Sequence, residues 1–181
     1  MGREAQRRLA LLAIVGSVAT GWVVAVEGNS MVTPAANAAS SPRANATRLA
    51  ACPFPARLRA PFERAARDAA IPVAMLYAVA TVESSLREDA ESAAGARGLL
   101  QVMPATARSL KLDVNEPETN VLAGARYLRQ MIDLFGNTDL ALAAYNAGPT
   151  AVARAGGAPS GAVQTYVANV NARWHSVAGC R

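Results

Sequence analysis

Glu83 is the residue whose type and position most strongly suggest chemistry. It ends the apolar segment 71–83, which suits a helix with Pro72 at its first position. Leu76 and Val79 lie seven and four residues before Glu83 and therefore share its face of that helix. Apolar neighbours and the negative end of the helix dipole both disfavour a charged carboxylate. We therefore expect a raised pKa for Glu83, as a general acid at neutral pH requires.

Other readings of the acidic residues remain open at this point. Glu83 could instead form a salt bridge with Arg87, one helical turn further on. Three acids close to it are interpreted as a solvated loop face and not as catalytic partners: Glu88, Asp89 and Glu91. The sequence alone does not exclude a second catalytic carboxylate among five more distant acids: Asp113, Glu116, Glu118, Asp133 and Asp139.

Two motifs identify a family. After Glu83-Ser84 and Ser92, the residues 95–107 read GARGLLQVMPATA, and the residues 144–149 read AYNAGP. Both closely resemble the bacterial lytic transglycosylases with a soluble-lytic-transglycosylase (SLT, goose-lysozyme-like) domain, and the resemblance covers roughly residues 55 to 170. The one departure is Leu100 where the family usually has Met, an apolar exchange of similar volume.

The resemblance implies an enzyme that cleaves the β-1,4 bond between N-acetylmuramic acid and N-acetylglucosamine in peptidoglycan and leaves 1,6-anhydromuramic ends. Glu83 would be the single catalytic acid and base. The implied substrate-binding residues are Ser92, Gln101, Met103, Tyr145, Asn146 and Tyr166. Ser92 would bind the N-acetyl group or the Glu83 region, and Tyr145 would also donate a hydrogen bond to Glu83. No metal and no cofactor are expected, since one histidine and two cysteines without ligand spacing offer no metal site.

The alternatives are a closely related enzyme, a scaffold and a nucleic-acid binder. The resemblance implies that the 6-hydroxyl group of the N-acetylmuramic acid residue attacks its own C1, whereas a hydrolytic muramidase of the same fold would use water. A non-catalytic scaffold would recruit a secretion or conjugation apparatus to the wall; small single-domain relatives often serve such machines, so that partner is also compatible with catalysis. The net charge of +5 suits a polyanionic partner, but the basic residues are scattered and lack the basic-aromatic pattern of nucleic-acid binding.

The elements that must position these residues are predicted to be helices. Hydrophobic residues make up 52% and aromatic residues only 5% of the chain, because alanine is frequent, and alanine favours helix. The patterns predict helices from Pro61, over 72–85, 104–110 and 119–135, from Asp139 as a cap, from Pro149, and over 161–177 with Ser160 as a cap. Gly95 and Gly98 are expected to serve backbone geometry. The predicted class is mainly α, a lysozyme-like (SLT) single domain.

The amino terminus predicts an exported protein, and we expect a monomer. Residues 1–38 combine basic residues, an apolar segment over 9–26 and an A-x-A site at Ala36 to Ala38, the outline of a cleaved signal peptide. The apolar segment is also long enough for an uncleaved inner-membrane anchor. Residues 39–54 are interpreted as a linker and 55–181 as the domain. In the oxidising periplasm, Cys52 and Cys180 would form a disulfide.

Overall fold

The protein structure, a computed structural model, describes residues 52–180, and helices dominate this part of the chain. Their order is α1 (Ala56–Asp68), α2 (Val73–Ser84), α3 (Pro104–Ser109), α4 (Pro117–Phe135), α5 (Thr138–Ala147), α6 (Pro149–Ala155) and α7 (Gly161–Ser176). Between α2 and α3 the chain forms only isolated antiparallel bridges, Glu91 with Arg97 and Arg97 with Val102. The mainly α prediction is therefore confirmed.

Four predicted helix starts are wrong. One is that of α4, which begins at Pro117 and not at residue 119. Helix α1 begins at Ala56 and includes Pro61 in its second turn. The proline removes one backbone hydrogen bond, but its ring is buried beside Phe62, and burial in the core keeps the helix continuous. Pro72 precedes α2 as its N-cap residue instead of occupying the first helical position. Helix α5 is capped by the Asn137 side chain, which accepts a hydrogen bond from the Leu140 backbone N–H; Asp139 lies inside the first turn.

The other helix ends follow the sequence pattern closely. Helix α4 ends at Gly136, whose φ of 61° suits glycine. Helix α6 ends in the same way at Gly156, with a φ of 63°. The Ser160 hydroxyl accepts a hydrogen bond from the Val163 backbone N–H at 3.3 Å and caps α7, as predicted.

Helix α2 lies at the centre of the fold. It packs against α1 and α7, while α4 packs against α1, α3 and α5, and α5 also packs against α6 and α7. Because neighbours cover it on several sides, every residue from Ala74 to Ala80 is buried, not one face alone. The carboxyl end of this central helix carries Glu83 and Ser84, so the surrounding helices fix the position of both.

A disulfide joins the two ends of the described region. Cys52 and Cys180 are bonded across a sequence separation of 128 residues, as predicted. Cys52 is 1% exposed and belongs to the hydrophobic core. Over residues 52–180 no single helix is long and apolar enough to cross a membrane, although α1 and α2 would meet that length and composition as a pair bent by 119°. The predicted leader and most of the predicted linker lie outside the described residues.

Candidate active site

Glu83 is half-buried at the end of α2, and one side chain binds its carboxyl group. The Tyr166 hydroxyl of α7 donates a hydrogen bond to Glu83 Oε1 at 2.7 Å. Burial raises the pKa of Glu83 to about 7, while the Tyr166 hydrogen bond lowers that pKa. No carboxylate within residues 52–180 contributes to the rise. Near neutral pH, Glu83 can therefore both donate and accept a proton.

The alternative salt bridge between Glu83 and Arg87 does not form. The Arg87 guanidinium instead donates to the Ser84 carbonyl at 3.4 Å, and in the described part of the chain no cation pairs with Glu83. Ser85 and Leu86 have φ values of 54° and 62°, so two successive left-handed residues end α2 directly after the acid. The raised pKa is thus not offset by a neighbouring positive charge.

The loop 91–103 is attached to the end of α2 by Ser84. The Ser84 hydroxyl oxygen lies 2.8 Å from the Leu99 carbonyl oxygen and 3.2 Å from that of Ala80. The shorter contact joins the helix end that bears Glu83 to the centre of the loop. Gly98 has a φ of 72°, and an added Cβ there would lie 2.5 Å from Asn120 Nδ2. Both the positive φ and the lack of space for a side chain agree with the expectation that Gly98 serves the backbone geometry.

Gln101 lies in this loop with its amide donors already used. Its Nε2 donates to the carbonyls of Ala90 at 3.0 Å and Gly98 at 2.9 Å. The amide group could in principle both donate to and accept from a sugar, but only its Oε1 oxygen remains free of these two bonds. Towards a ligand, Gln101 can therefore act as an acceptor. Gln101 also has a φ of 44°, an uncommon value for a residue with a side chain. The loop therefore holds Gln101 in a left-handed backbone conformation that is unfavourable for a residue with a side chain.

Tyr145 does not hydrogen-bond to Glu83, contrary to the prediction. Its hydroxyl donates to the Leu100 carbonyl at 2.8 Å. Tyr145 is nevertheless close enough that the Glu83 charge contributes, after burial, to the raised pKa of the Tyr145 phenol. Its ring lies 5.3 Å from that of Tyr127, between centroids. Tyr145 therefore packs beside Glu83 and supports the loop, while Tyr166 makes the direct contact.

The remaining predicted residues are less closely tied to Glu83. Ser92 is half-buried, and its hydroxyl accepts a hydrogen bond from the Ala96 backbone N–H at 3.0 Å, which leaves its proton available. Met103 is 41% exposed and Asn146 is exposed. Over residues 52–180 neither Met103 nor Asn146 makes a side-chain hydrogen bond within the protein. Both are therefore available to a ligand.

The sequence pattern missed Asn120 and Gly124, both on the buried face of α4. Asn120 is 1% exposed and hydrogen-bonds to the loop. At Gly124, a Cβ would lie 2.3 Å from Leu100 Cδ1 and 2.9 Å from the Tyr145 hydroxyl oxygen. Their spacing could have revealed them, because positions 120 and 124 lie at intervals of four from Leu128 and therefore share its buried helix face. A polar and a very small residue on such a face indicate a partner that approaches closely.

Most of the other acids make contacts of their own. Five of them pair with arginines: Asp68 with Arg126, Glu88 with Arg57, Glu91 with Arg97, Glu118 with Arg64 and Asp133 with Arg129. Asp113 accepts hydrogen bonds from Asn115, and Asp139 accepts one from Asn171.

Residues 52–180 hold 12 of the 18 basic and 11 of the 13 acidic residues, so most of the positive net charge lies outside the described region.

Comparisons with known proteins find a matching family model and similar sequences. The family described as "Transglycosylase SLT domain" matches residues 60–165. The soluble lytic murein transglycosylase of Salmonella typhimurium is 34% identical over 137 residues, which cover 69% of this chain and 20% of the relative. The transglycosylase of Enterobacteria phage PRD1 is 40% identical over 75 residues, which cover 41% of this chain and 28% of that protein.

A solved structure is also similar. It is an inactive glutamate-to-glutamine mutant of the lytic transglycosylase Slt from Pseudomonas aeruginosa, with a TM-score of 0.61 and 29% identity. The match covers 71% of this chain and 25% of that one. The chain thus spans about a fifth of the length of the Salmonella relative and a quarter of the solved chain.

Proposed function

This chain belongs to the transglycosylase SLT domain family, and from that premise we propose that it is a peptidoglycan lytic transglycosylase with Glu83 as its catalytic residue. The single observation that carries the proposal is the half-buried Glu83 carboxyl group, whose pKa of about 7 suits both halves of an acid–base mechanism. The proposed substrate is the β-1,4 bond between N-acetylmuramic acid and N-acetylglucosamine in peptidoglycan. The name of the Salmonella relative, soluble lytic murein transglycosylase, supports murein as the polymer.

In the first step, protonated Glu83 acts as a general acid. It donates its proton to the glycosidic oxygen as the bond from that oxygen to C1 of the muramic acid residue breaks. The leaving sugar departs with a free 4-hydroxyl group, and positive charge develops at C1. The resulting Glu83 carboxylate keeps the Tyr166 hydrogen bond, which lowers its pKa and so stabilises the charged form.

In the second step, the Glu83 carboxylate acts as a general base. It accepts the proton of the 6-hydroxyl group of the same muramic acid residue while that oxygen bonds to C1. The product is a 1,6-anhydro ring, no water is consumed, and Glu83 is again protonated. Intramolecular attack benefits from a high effective molarity, so the mechanism needs no second carboxylate to activate water or to serve as a nucleophile.

Other residues would bind the substrate around Glu83. Gln101 Oε1 would accept hydrogen bonds from sugar hydroxyl or acetamido N–H groups, because its amide nitrogen is already engaged. The Ser92 hydroxyl proton and the exposed Asn146 amide are available to the N-acetyl groups. Met103, 41% exposed, would provide apolar surface against a sugar ring.

The test is digestion of purified sacculi followed by mass spectrometry of the released muropeptides. The wild-type chain should yield 1,6-anhydromuramic products, and Glu83→Gln should yield none although it folds. Glu116→Gln makes the same chemical change on an exposed side chain and should retain activity. Reducing-end products from the wild type would instead establish a hydrolytic muramidase. Loss of activity in Glu116→Gln, or anhydro products from Glu83→Gln, would contradict the assignment.

The site of action would be the periplasm. The disulfide between Cys52 and Cys180 supports an oxidising compartment, and peptidoglycan lies outside the cytoplasm. In this proposal residues 1–38 are a cleaved signal peptide or an anchor, residues 39–54 a linker and residues 55–181 a monomeric catalytic domain. Opening the wall for a secretion or conjugation apparatus is compatible with this activity. If Glu83→Gln kept such an apparatus working, a scaffolding role would replace the catalytic one.

A further inference from the structure

Asn120 is a buried polar residue on a helix that carries no predicted chemistry. Its Nδ2 donates to the carbonyls of Arg97 at 2.8 Å and Val114 at 3.0 Å, and its Oδ1 accepts from the Leu100 backbone N–H at 3.0 Å. The side chain therefore makes three hydrogen bonds, all with backbone groups, at a position that is 1% exposed. Because both donors and the oxygen of this buried amide are used, it defines the position of its partners closely.

The peptide groups of Leu99 and Leu100 are bound from three helices. Asn120 of α4 accepts from the Leu100 N–H, and Tyr145 of α5 donates to the Leu100 carbonyl at 2.8 Å. Ser84 of α2 donates to the Leu99 carbonyl at 2.8 Å. A continuous set of contacts therefore runs from α4 through the loop to the residue directly after Glu83 in the chain.

Resting on the function proposed above, we propose that Asn120 is a positioning residue, which fixes the loop 97–101 against α4 and thereby the end of α2 that carries Glu83. It touches neither the substrate nor the carboxyl group. Its effect passes through Leu99 and Leu100, whose positions also determine where Gln101 lies. Asn120 is thus needed to place Glu83 correctly for the reaction, in addition to any contribution to stability.

The expected effect is larger on turnover than on binding. Glycan binding would be shared among several loop and surface groups, whereas proton transfer depends on the exact place of one carboxyl group. A displacement of about 1 Å at such a group can cost about a hundredfold in rate. If the end of α2 moves outward, Glu83 also becomes more hydrated. Its pKa then falls towards the ordinary value, and the alkaline limb of the pH profile moves to lower pH.

Asn120→Asp is the most direct test, because it keeps the volume and the acceptor for the Leu100 N–H. It replaces the two donated hydrogen bonds with an oxygen that faces the Arg97 and Val114 carbonyls. Gly98→Ala disturbs the same contact from the loop side, because the new Cβ would lie 2.5 Å from Asn120 Nδ2. The two variants should therefore produce the same kinetic signature.

Met131→Ala is the matched control. Met131 is 5% exposed and lies on the same helix eleven residues further on, about 16 Å along its axis, so its truncation also weakens the core. Release of anhydro products is measured against substrate concentration and pH, below the unfolding transition of each variant. For Asn120→Asp and Gly98→Ala we expect kcat to fall at least tenfold, KM to stay within threefold and the alkaline limb to move to lower pH. Met131→Ala should keep kcat within threefold and leave that limb in place.

Several results would overturn the proposal. Folded Asn120→Asp and Gly98→Ala proteins with wild-type kcat and pH profile would show that the loop needs no such support. An equal loss in Met131→Ala, or failure of both loop variants to fold, would assign the network to stability alone. A wild-type chain that releases no 1,6-anhydro product would instead refute the proposed function, so the two failures are distinguishable.

Discussion

Replacing Glu83 by glutamine should stabilise the folded protein at neutral and alkaline pH. The pKa of Glu83 is about 7 in the fold, compared with an ordinary value of 4.5 that applies to the unfolded chain. As pH rises above 4.5, the unfolded state releases this proton while the folded state still holds it. The free energy of unfolding therefore decreases between pH 4.5 and pH 7, and above pH 7 this contribution stays constant.

The magnitude follows from the difference between the two pKa values. Each pKa unit corresponds to about 1.4 kcal/mol, so the ionised Glu83 costs the fold about 3 kcal/mol at pH 8. Glutamine has nearly the shape of the protonated acid, can accept the Tyr166 hydrogen bond and stays neutral at every pH. Glu83→Gln should thus exceed the wild type by about 3 kcal/mol in unfolding free energy at pH 8, and by almost nothing at pH 4.

Urea-induced unfolding of both proteins at pH 4, 6 and 8, with the disulfide intact, measures this difference. Glu116→Gln serves as the control for removing one carboxylate from an exposed position. A difference between Glu83→Gln and wild type that is independent of pH would refute the raised pKa. A wild type that gains stability relative to Glu83→Gln as the pH rises would show that the charged carboxylate is favoured by the fold.

Three further predictions concern neighbouring contacts. Tyr166→Phe removes the hydrogen bond that lowers the pKa of Glu83, so the alkaline limb of the kcat/KM profile should move to higher pH; an unchanged limb would contradict the Tyr166 contact. Replacing Cys52 and Cys180 by serine opens a loop with a sequence separation of 128 residues and should cost up to about 5 kcal/mol in urea unfolding, whereas a loss under about 1 kcal/mol would indicate a structured unfolded state. Gly124→Ala places a Cβ 2.3 Å from Leu100 Cδ1 and should lower stability by about 1–3 kcal/mol, while Gly157→Ala, with open space around it, should cost much less; equal effects would reject the close packing at Gly124.

The helical plan could be predicted because it depends on local patterns. Apolar spacing and end signals such as Gly136 and Ser160 act within a few residues of each position. The errors arose where local and tertiary effects compete. Pro61 reads as a helix start, yet core packing keeps it inside α1, and Asn137 caps α5 two residues before the predicted Asp139. Asx residues are interchangeable as cap signals, so only the backbone conformation distinguishes them.

The features of the candidate site likewise divide into those that the sequence predicts and those that only the tertiary structure decides. From the sequence alone came the family, Glu83 as the principal acid and the expectation that apolar surroundings raise its pKa, because these depend on residue types and on the face of one helix. Tyr166, 83 residues away, could be named only through the resemblance, and its hydrogen bond to Glu83 is a tertiary fact. That Tyr145 binds the Leu100 carbonyl and that Asn120 holds the loop were decided by how α4 and α5 pack, since side-chain hydrogen bonds between distant segments leave no local pattern.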